Sequence, residues 1–221
     1  MIPELLHDRA FFEFFLEQFS ITVTEMFRDP FVYQSIRTKV IPVLKTYPFI
    51  RIWHAGCASG EEAYSLAILL KEERLYDRCT IFATDFNDVA LQKASDGIYD
   101  VERAKEFTRN YQQAGGVRSF SEYYHAQYGH IVMDQSLKRN ITFANHNLVT
   151  DGVFTEAHLI LCRNVMIYFD KILQNRALTL FRDSLVRGGL LCLGTKESLQ
   201  FSEVESNFKV EDGKARIYKK E

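Results

Sequence analysis

The sequence RIWHAGCASGEEAYSLAILL, residues 51–70, decides the fold of this chain. Residues 50–55 form an apolar run with the length and residue types of a buried strand. A loop of small residues, 56–60, follows, and the acidic pair Glu61 and Glu62 then opens a helical stretch. Strand, glycine loop and helix in this order place a nucleotide-like ligand against the backbone at the carboxyl end of a parallel sheet.

The charges of the loop restrict which ligand it can hold. Its glycines are not spaced as in the dinucleotide fingerprint GxGxxG, so the sequence predicts no pyrophosphate site. Two carboxylates at the start of the helix repel a phosphate group but attract a cation. The stretch therefore predicts a ligand that carries an ammonium or sulfonium group and no phosphate.

The composition is that of an ordinary soluble globular protein, with 47% hydrophobic and 25% charged residues in 221. The formal net charge of −2 provides no basic field for nucleic acid or a membrane surface. No apolar run approaches the roughly 18 residues of a membrane span, and the N-terminus lacks a signal-peptide layout. We expect a cytoplasmic protein without membrane insertion or a nucleic-acid partner.

The remaining chain continues the alternation of strands and helices. It predicts five parallel strands with crossover helices, then an antiparallel hairpin over residues 208–218, which is a doubly wound α/β fold. An insertion at about 112–139 predicts a small, partly β lobe. The aromatic-rich residues 4–19 predict a helix, either packed on the main domain or exposed as a dimer or partner surface. A further helix is expected over 171–187, with Gly188 and Gly189 as its stop.

No metal site is expected. The four cysteines are scattered and lie in apolar, strand-like surroundings, which favours buried thiols: Cys57, Cys79, Cys162 and Cys192. His125 and His130 lack the accompanying ligand spacing of a metal centre and are read as surface imidazoles.

Polar residues follow the predicted strands at their carboxyl ends. Asp85 stands at the end of the second strand, where a carboxylate can accept from ribose hydroxyls, although a helix-capping aspartate would look the same. Arg163 and Asn164 follow a later strand and precede an aromatic-rich loop. Ligands of open α/β sheets bind at these ends.

Four motifs in order resemble the CheR family of chemoreceptor glutamate methyltransferases, within the class I S-adenosylmethionine-dependent methyltransferases. They are TVTEMFRDP (22–30), WHAGCASGEEAYS (53–65), ATDFN (83–87) and CRNVMIYFD (162–170). The resemblance covers about residues 20–221. It implies a Rossmann-like class I methyltransferase sheet in residues 21–221, an N-terminal helix in 1–20, S-adenosylmethionine as cofactor, S-adenosylhomocysteine as product and a methyl-accepting chemoreceptor as partner.

Carried over position by position, the resemblance implies a set of cofactor contacts: Thr22, Thr24, Arg28, Gly56, Glu61, Glu62, Asp85, Asn147, Leu148, Arg163 and Asn164. It also implies that Tyr168 lies near the methyl donor and that Arg28 takes part in catalysis. The family often has Asn where this chain has Thr22, and which glutamate makes the contact stays open. The family's carboxylate-orienting arginine has three candidate equivalents: Arg37, Lys39 and Lys45.

The implied chemistry suits the residue types. A glutamate side chain is already an anion near pH 7, so methyl-ester formation needs no general base. The enzyme has to align carboxylate, methyl group and sulfur and to exclude water. Two alternatives remain: a CheR-like module that binds S-adenosylmethionine without turnover, which the short stretch before the first motif favours, and a methyltransferase for a small molecule or RNA.

Overall fold

The computed structural model describes residues 24–221, and every element below lies in that part of the chain. It begins with one continuous helical segment: α1 (Pro30–Ser35), a π-helical turn (Ile36–Val40) and α2 (Ile41–Leu44). The turn widens just before Pro42, which has no N–H for an α-helical bond and whose ring crowds the preceding turn.

The next elements build the stretch that the sequence singled out. They are β1 (Ile50–Ala55), α3 (Glu61–Glu72), a 3₁₀ turn (Tyr76–Arg78), β2 (Cys79–Asp85) and α4 (Asp88–Asp96). Asn87 caps α4 by accepting from the N–H groups of Val89 and Ala90, and Gly97 ends it in the left-handed conformation. The predicted strand–loop–helix order is confirmed.

A small antiparallel sheet follows, with strand order β3-β5-β4. The sheet and the elements between and after its strands are, in chain order, β3 (Ile98–Asp100), a 3₁₀ turn (Val101–Arg103), α5 (Ala104–Gln113), a 3₁₀ turn (Phe120–Tyr123), β4 (Tyr124–Gln127), β5 (His130–Met133) and α6 (Gln135–Lys138). Strand β3 lies well before residue 112, where the insertion was predicted to begin. Three residues are too few to show the alternation of a strand, so only the pairing with β5 reveals it.

The main sheet is completed by β6 (Ile141–Asn145), β7 (Ala157–Cys162), a 3₁₀ turn (Met166–Tyr168), α7 (Lys171–Ser184), β8 (Leu185–Leu193), a 3₁₀ turn (Glu205–Asn207), β9 (Phe208–Asp212) and β10 (Ile217–Lys220). Its order is β6-β2-β1-β7-β8-β10-β9. The first five strands are parallel, and β10 runs antiparallel to β8 and β9. This confirms the doubly wound α/β fold with a closing hairpin.

The predicted glycine stop of the last long helix is wrong. Helix α7 ends at Ser184, and Gly188 and Gly189 lie inside strand β8. Gly188 has φ +77°, and the register with β7 is irregular between Ala157 and Leu159. The glycines therefore form a bulge in the strand instead of ending the helix.

Two core clusters cover the two faces of the sheet. Ile50 and Ile52 of β1 belong to the cluster that includes α3, whereas Trp53 and Ala55 belong to the cluster that includes α7. All four cysteines are free and buried, as predicted. Within residues 24–221 no helix is long and apolar enough to cross a membrane.

The strand order reverses between β1 and β7, the two neighbours at the middle of the parallel strands. The helices that follow these strands pack on opposite faces of the sheet, and ligands of open α/β sheets bind at such a reversal of strand order. The glycine loop and the Arg163–Asn164 pair follow these two strands, so the fold brings the predicted site residues to one place.

Candidate functional site

The glycine loop packs tightly on both sides. Gly56 has φ +75°, and a Cβ there would lie 2.3 Å from Val165 Cγ2, in the loop after β7. Gly60 has φ +89°, and its Cβ would lie 2.8 Å from the Cβ of Ala94 in α4. Both positions require glycine, because the backbone conformation and the close approach exclude a side chain.

Asp85 is half-buried and anchored to this loop. Its Oδ2 accepts from the N–H of Ala58 at 2.8 Å, and its Oδ1 accepts from the N–H of Asn87 at 3.0 Å. The residue that caps α4 is Asn87, so Asp85 is not the cap of this helix. A carboxylate offers about four acceptor positions, so two backbone bonds leave capacity for ligand hydroxyls.

Glu62 is enclosed by donors. Its Oε1 accepts from Arg163 Nη1 and from the Tyr33 hydroxyl at 3.3 Å, and its Oε2 lies 3.1 Å from His54 Nε2. Burial alone would raise the pKa of this carboxyl, but Arg163 and His54 overcome burial and lower the pKa of Glu62 to about 2. The charged form of Glu62 is thus stabilised within the protein.

Glu61 has a different environment. Its Oε1 lies 2.8 Å from Arg103 Nη1, and its Oε2 accepts from the Ser59 hydroxyl at 2.7 Å. Burial nevertheless raises the pKa of Glu61, against the effect of Ser59 and Arg103. Of the two glutamates, Glu61 is the one whose negative charge the protein compensates only in part.

Arg163 also holds the turn that carries Arg28. Its side chain is 1% exposed, and it donates from Nη1 to the Arg28 carbonyl at 3.1 Å and from Nη2 to Asp29 Oδ2 at 2.7 Å. Phe27 and Asp29, on either side of Arg28, have φ values of +53° and +55°. Non-glycine residues rarely adopt this region, and such strain concentrates at functional sites.

The loop after β7 presents Asn164 and Tyr168. Asn164 has φ +60°, and its buried Oδ1 has no hydrogen-bond partner within residues 24–221. Tyr168 ends the short 3₁₀ turn and is 59% exposed. The backbone of this loop is held by Glu197, a buried residue that the sequence analysis missed. A single acid in the stretch TKES carries no pattern that points to this role.

Asn147 and Leu148 shape the turn after β6. The Asn147 side-chain oxygen accepts from the N–H of Val149 at 2.9 Å, which closes an Asx turn. Leu148 is buried in the same core cluster as Trp53. Both side chains therefore stabilise the turn.

Each of the three candidate carboxylate-orienting cations forms an ion pair within the protein. Arg37 pairs with Glu72 and Glu73 at the C-terminal end of α3, roughly 16 Å along the helix from Glu61 at 1.5 Å per residue. Lys39 lies 3.0 Å from Asp212, and Lys45 lies 3.0 Å from Glu73.

Of the two N-terminal threonines, Thr22 lies outside the described residues. The Thr24 carbonyl accepts from Arg103 Nη2, so Arg103 joins this segment to Glu61. Within residues 24–221 no cluster of acidic, histidine or cysteine side chains could hold a metal ion.

Comparison with known proteins gives consistent matches. The family described as CheR methyltransferase, SAM binding domain, matches residues 22–217. The Pseudomonas putida protein Cher3 is 50% identical over 216 residues, which covers 98% of this chain and 79% of that protein. A chemotaxis protein methyltransferase of Listeria innocua is 32% identical over 200 residues, covering 88% of this chain and 72% of the relative.

One solved structure shows how distant the structural likenesses are. A SAM-dependent methyltransferase from Geobacter sulfurreducens in complex with S-adenosyl-L-homocysteine has a TM-score of 0.43 and 14% identity. The likeness covers 81% of this chain and 53% of that one, and it is too slight to bear on function.

Proposed function

The chain belongs to the family of CheR methyltransferases with their S-adenosylmethionine-binding domain, and on that premise we propose that it methylates glutamate side chains of a chemoreceptor-like signalling protein. The products are a glutamate methyl ester and S-adenosylhomocysteine. Residues 21–221 are the proposed methyltransferase domain, and its small inserted lobe, predicted at about 112–139, extends back to β3 at Ile98. The N-terminal helix predicted for residues 1–20 lies outside the described residues.

The observation that supports this proposal most strongly is the set of acids around the glycine loop. Asp85 is bonded to the loop backbone, and Glu61 and Glu62 open the helix that follows. A nucleoside with hydroxyls and a positive charge fits Asp85 and the partly compensated Glu61, whereas a phosphate is repelled by these two carboxylates. S-adenosylmethionine has this chemistry.

The two glutamates have different proposed roles. Glu62 is compensated by Arg163 and His54, so we assign it to the architecture of the site. Glu61 has a raised pKa and gains the most from another cation, so we assign to it the ammonium group of the methionine end. Asp85, anchored by two backbone N–H groups, takes the ribose hydroxyls.

Methyl transfer itself needs little from the protein beyond alignment. The ionised carboxylate attacks the methyl carbon, the bond from carbon to sulfur breaks, and the sulfonium becomes a neutral thioether. Tyr168, on the exposed turn after β7, is the side chain proposed to lie against the methyl donor. Arg28, held in the strained turn by Arg163, supplies positive charge to cofactor or substrate.

The chemistry of the substrate and the matched relatives both support the proposed partner. Proteins named as chemotaxis protein methyltransferases match at about a third identity, which supports a chemoreceptor-type substrate. The aromatic residues 4–19 lie outside the described part of the chain. A dimer or partner contact through them stays a prediction.

The test is transfer of a radiolabelled methyl group from S-adenosylmethionine to membranes that contain a chemoreceptor. The proposal predicts label on the receptor that is released as methanol by mild base, because carboxyl methyl esters hydrolyse there and methyl amines do not. Base-stable label would contradict the glutamate ester. Cofactor binding with no transfer to any receptor would favour a non-catalytic module.

A further inference from the structure

Glu197 is a buried carboxylate that has no assigned role in the proposed methyl transfer. It lies beyond the end of β8 and is 5% exposed. Its Oε2 accepts from the N–H of Gly194 at 2.6 Å and of Asn164 at 3.1 Å, and its Oε1 accepts from the N–H of Met166 at 2.7 Å. One side chain thus joins the end of β8 to the loop after β7.

These donors belong to the part of the loop that carries the site. Asn164 is in the left-handed conformation, and Met166 begins the 3₁₀ turn that ends with Tyr168. Their N–H groups have no hydrogen-bond partner in a helix or a strand, and leaving a buried N–H unpaired is costly. The carboxylate replaces the missing backbone partners and holds the loop in its strained course.

A second residue holds the same loop from the other side. Gln174 of α7 donates from Nε2 to the carbonyl oxygens of Met166 at 3.1 Å and Phe169 at 3.0 Å. The N–H groups and the carbonyl groups of the turn are therefore both bound. Tyr168 projects from a backbone segment that is fixed at both ends.

Gly194 shows how closely Glu197 and the loop pack. A Cβ at Gly194 would lie 2.6 Å from Glu197 Oε2 and 2.7 Å from the backbone nitrogen of Asn164. Real Cβ atoms do not approach so near, so any side chain there must displace the carboxylate or the loop. The contact can thus be disturbed from either partner.

We propose that Glu197 is a positioning residue for methyl transfer, which fixes the backbone from Asn164 to Met166 and thereby the direction of Tyr168. This inference rests on the proposed function, because it assigns Glu197 to the alignment step of that reaction. Glu197 acts through the backbone of the loop and needs no contact with the cofactor. Alignment errors on the scale of an ångström are enough to slow such a reaction strongly.

The first test is Glu197→Gln, which keeps the shape but places an amide NH₂ opposite a backbone N–H donor. We expect the turnover number at saturating cofactor to fall by about tenfold or more, since a 1.4 kcal/mol rise in the barrier has that effect. Affinity for S-adenosylhomocysteine, measured by calorimetry, should fall much less than turnover, because the proposed contacts from Glu61 and Asp85 are intact and only Asn164 is displaced. The matched control is Glu203→Gln, an exposed glutamate nearby in sequence.

The second test measures amide hydrogen exchange in the absence of substrate. In Glu197→Gln, exchange should accelerate at Asn164 and Met166 and stay unchanged in the central strands. Gly194→Ala, which keeps the carboxyl group of Glu197 but displaces it or the loop, should reproduce both the local exchange and the loss of turnover. The two changes together should cost less than the sum of each alone, because both disturb one contact.

The outcomes separate this inference from the proposed function. Turnover within about twofold of the wild type in a folded Glu197→Gln or Gly194→Ala variant would overturn the positioning role, because a misaligned reaction must slow. Exchange that accelerates throughout the protein would also overturn it, because Glu197 would then be a stability residue alone. If the wild type transfers no methyl group, the proposed function fails. Independently of that result, unchanged exchange at Asn164 and Met166 in Glu197→Gln would refute the anchoring of the loop by Glu197.

Discussion

The guanidinium of Arg163 donates to the carbonyl oxygen of Arg28 at 3.1 Å, although 135 positions separate the two residues in the chain. The same side chain pairs with Glu62 on the helix after the glycine loop. Arg163 thus connects three motifs of the sequence through one buried group. Burying an ion pair yields little net stability, but leaving one partner alone is costly.

Removal of this connection should therefore destabilise the protein. We expect Arg163→Met to lower the free energy of unfolding by about 3–5 kcal/mol, because the buried Glu62 keeps only His54 and Tyr33 as partners and Asp29 loses its ion pair. Denaturant titration monitored by circular dichroism measures this. The control is Arg187→Met at an exposed position, where a change below about 0.5 kcal/mol is expected. Equal effects of the two substitutions would contradict the role of Arg163.

The backbone at Asp29 offers a matched pair of variants. Asp29→Ala and Asp29→Gly both remove the carboxylate that pairs with Arg163, but only glycine tolerates φ +55° at no steric cost. The glycine variant should be more stable than the alanine variant by about 1 kcal/mol, from the cost of the left-handed conformation. Thermal unfolding compares them directly. A more stable alanine variant would show that this turn is not strained in solution.

Asp85 should control cofactor affinity. In Asp85→Asn the amide nitrogen replaces one acceptor, and the charge-assisted bond to the ribose hydroxyls is lost. Calorimetry with S-adenosylhomocysteine should show affinity lower by about tenfold or more, since such bonds contribute about 1.5–3 kcal/mol. Asp88→Asn, three residues further along and exposed, is the control and should bind normally. Unchanged binding in Asp85→Asn would refute the ribose assignment.

The lowered pKa of Glu62 predicts how stability depends on pH. A carboxyl with a pKa of about 2 in the folded protein and 4.5 when unfolded stabilises the fold above pH 4.5. This contribution, about 3 kcal/mol, is lost as the pH falls from 4.5 to 2. In Glu62→Gln the free energy of unfolding should be lower at pH 7 and should decline less steeply over that interval. Glu156→Gln, at an exposed position, should keep the wild-type slope.

Much of the fold follows from local patterns that act over short distances. The run at residues 50–55, the small residues of the loop and the helix after Gly60 each carry their own signal, and the structure confirms all three. The central strands β1 and β7 were predictable for the same reason, because they are buried along almost their whole length and such strands read as apolar runs.

The errors occurred where distant contacts override local preference. The glycines at 188 and 189 have the composition of a helix stop, but pairing with β7 draws them into a strand. Strand β3 has only three residues and exists because β5 lies beside it. Neither partner is visible from the local sequence.

The site shows the same limit. The sequence placed Glu61, Glu62 and Asp85 near one loop, but it could not distinguish two adjacent glutamates. Their difference depends on Arg163, about a hundred residues away, and on Arg103. Glu197 was invisible for the same reason, since its partners follow a different strand.

The acidic glycine loop is proposed to bind a cationic nucleoside, which a calorimetric titration of wild type and Glu61→Gln with two ligands would test. S-adenosylhomocysteine carries the ammonium group, whereas 5′-methylthioadenosine has the same nucleoside without it. We predict that Glu61→Gln weakens S-adenosylhomocysteine by about tenfold, through the loss of one charged contact, and leaves methylthioadenosine unchanged. Equal weakening of both ligands, or of neither, would contradict the account.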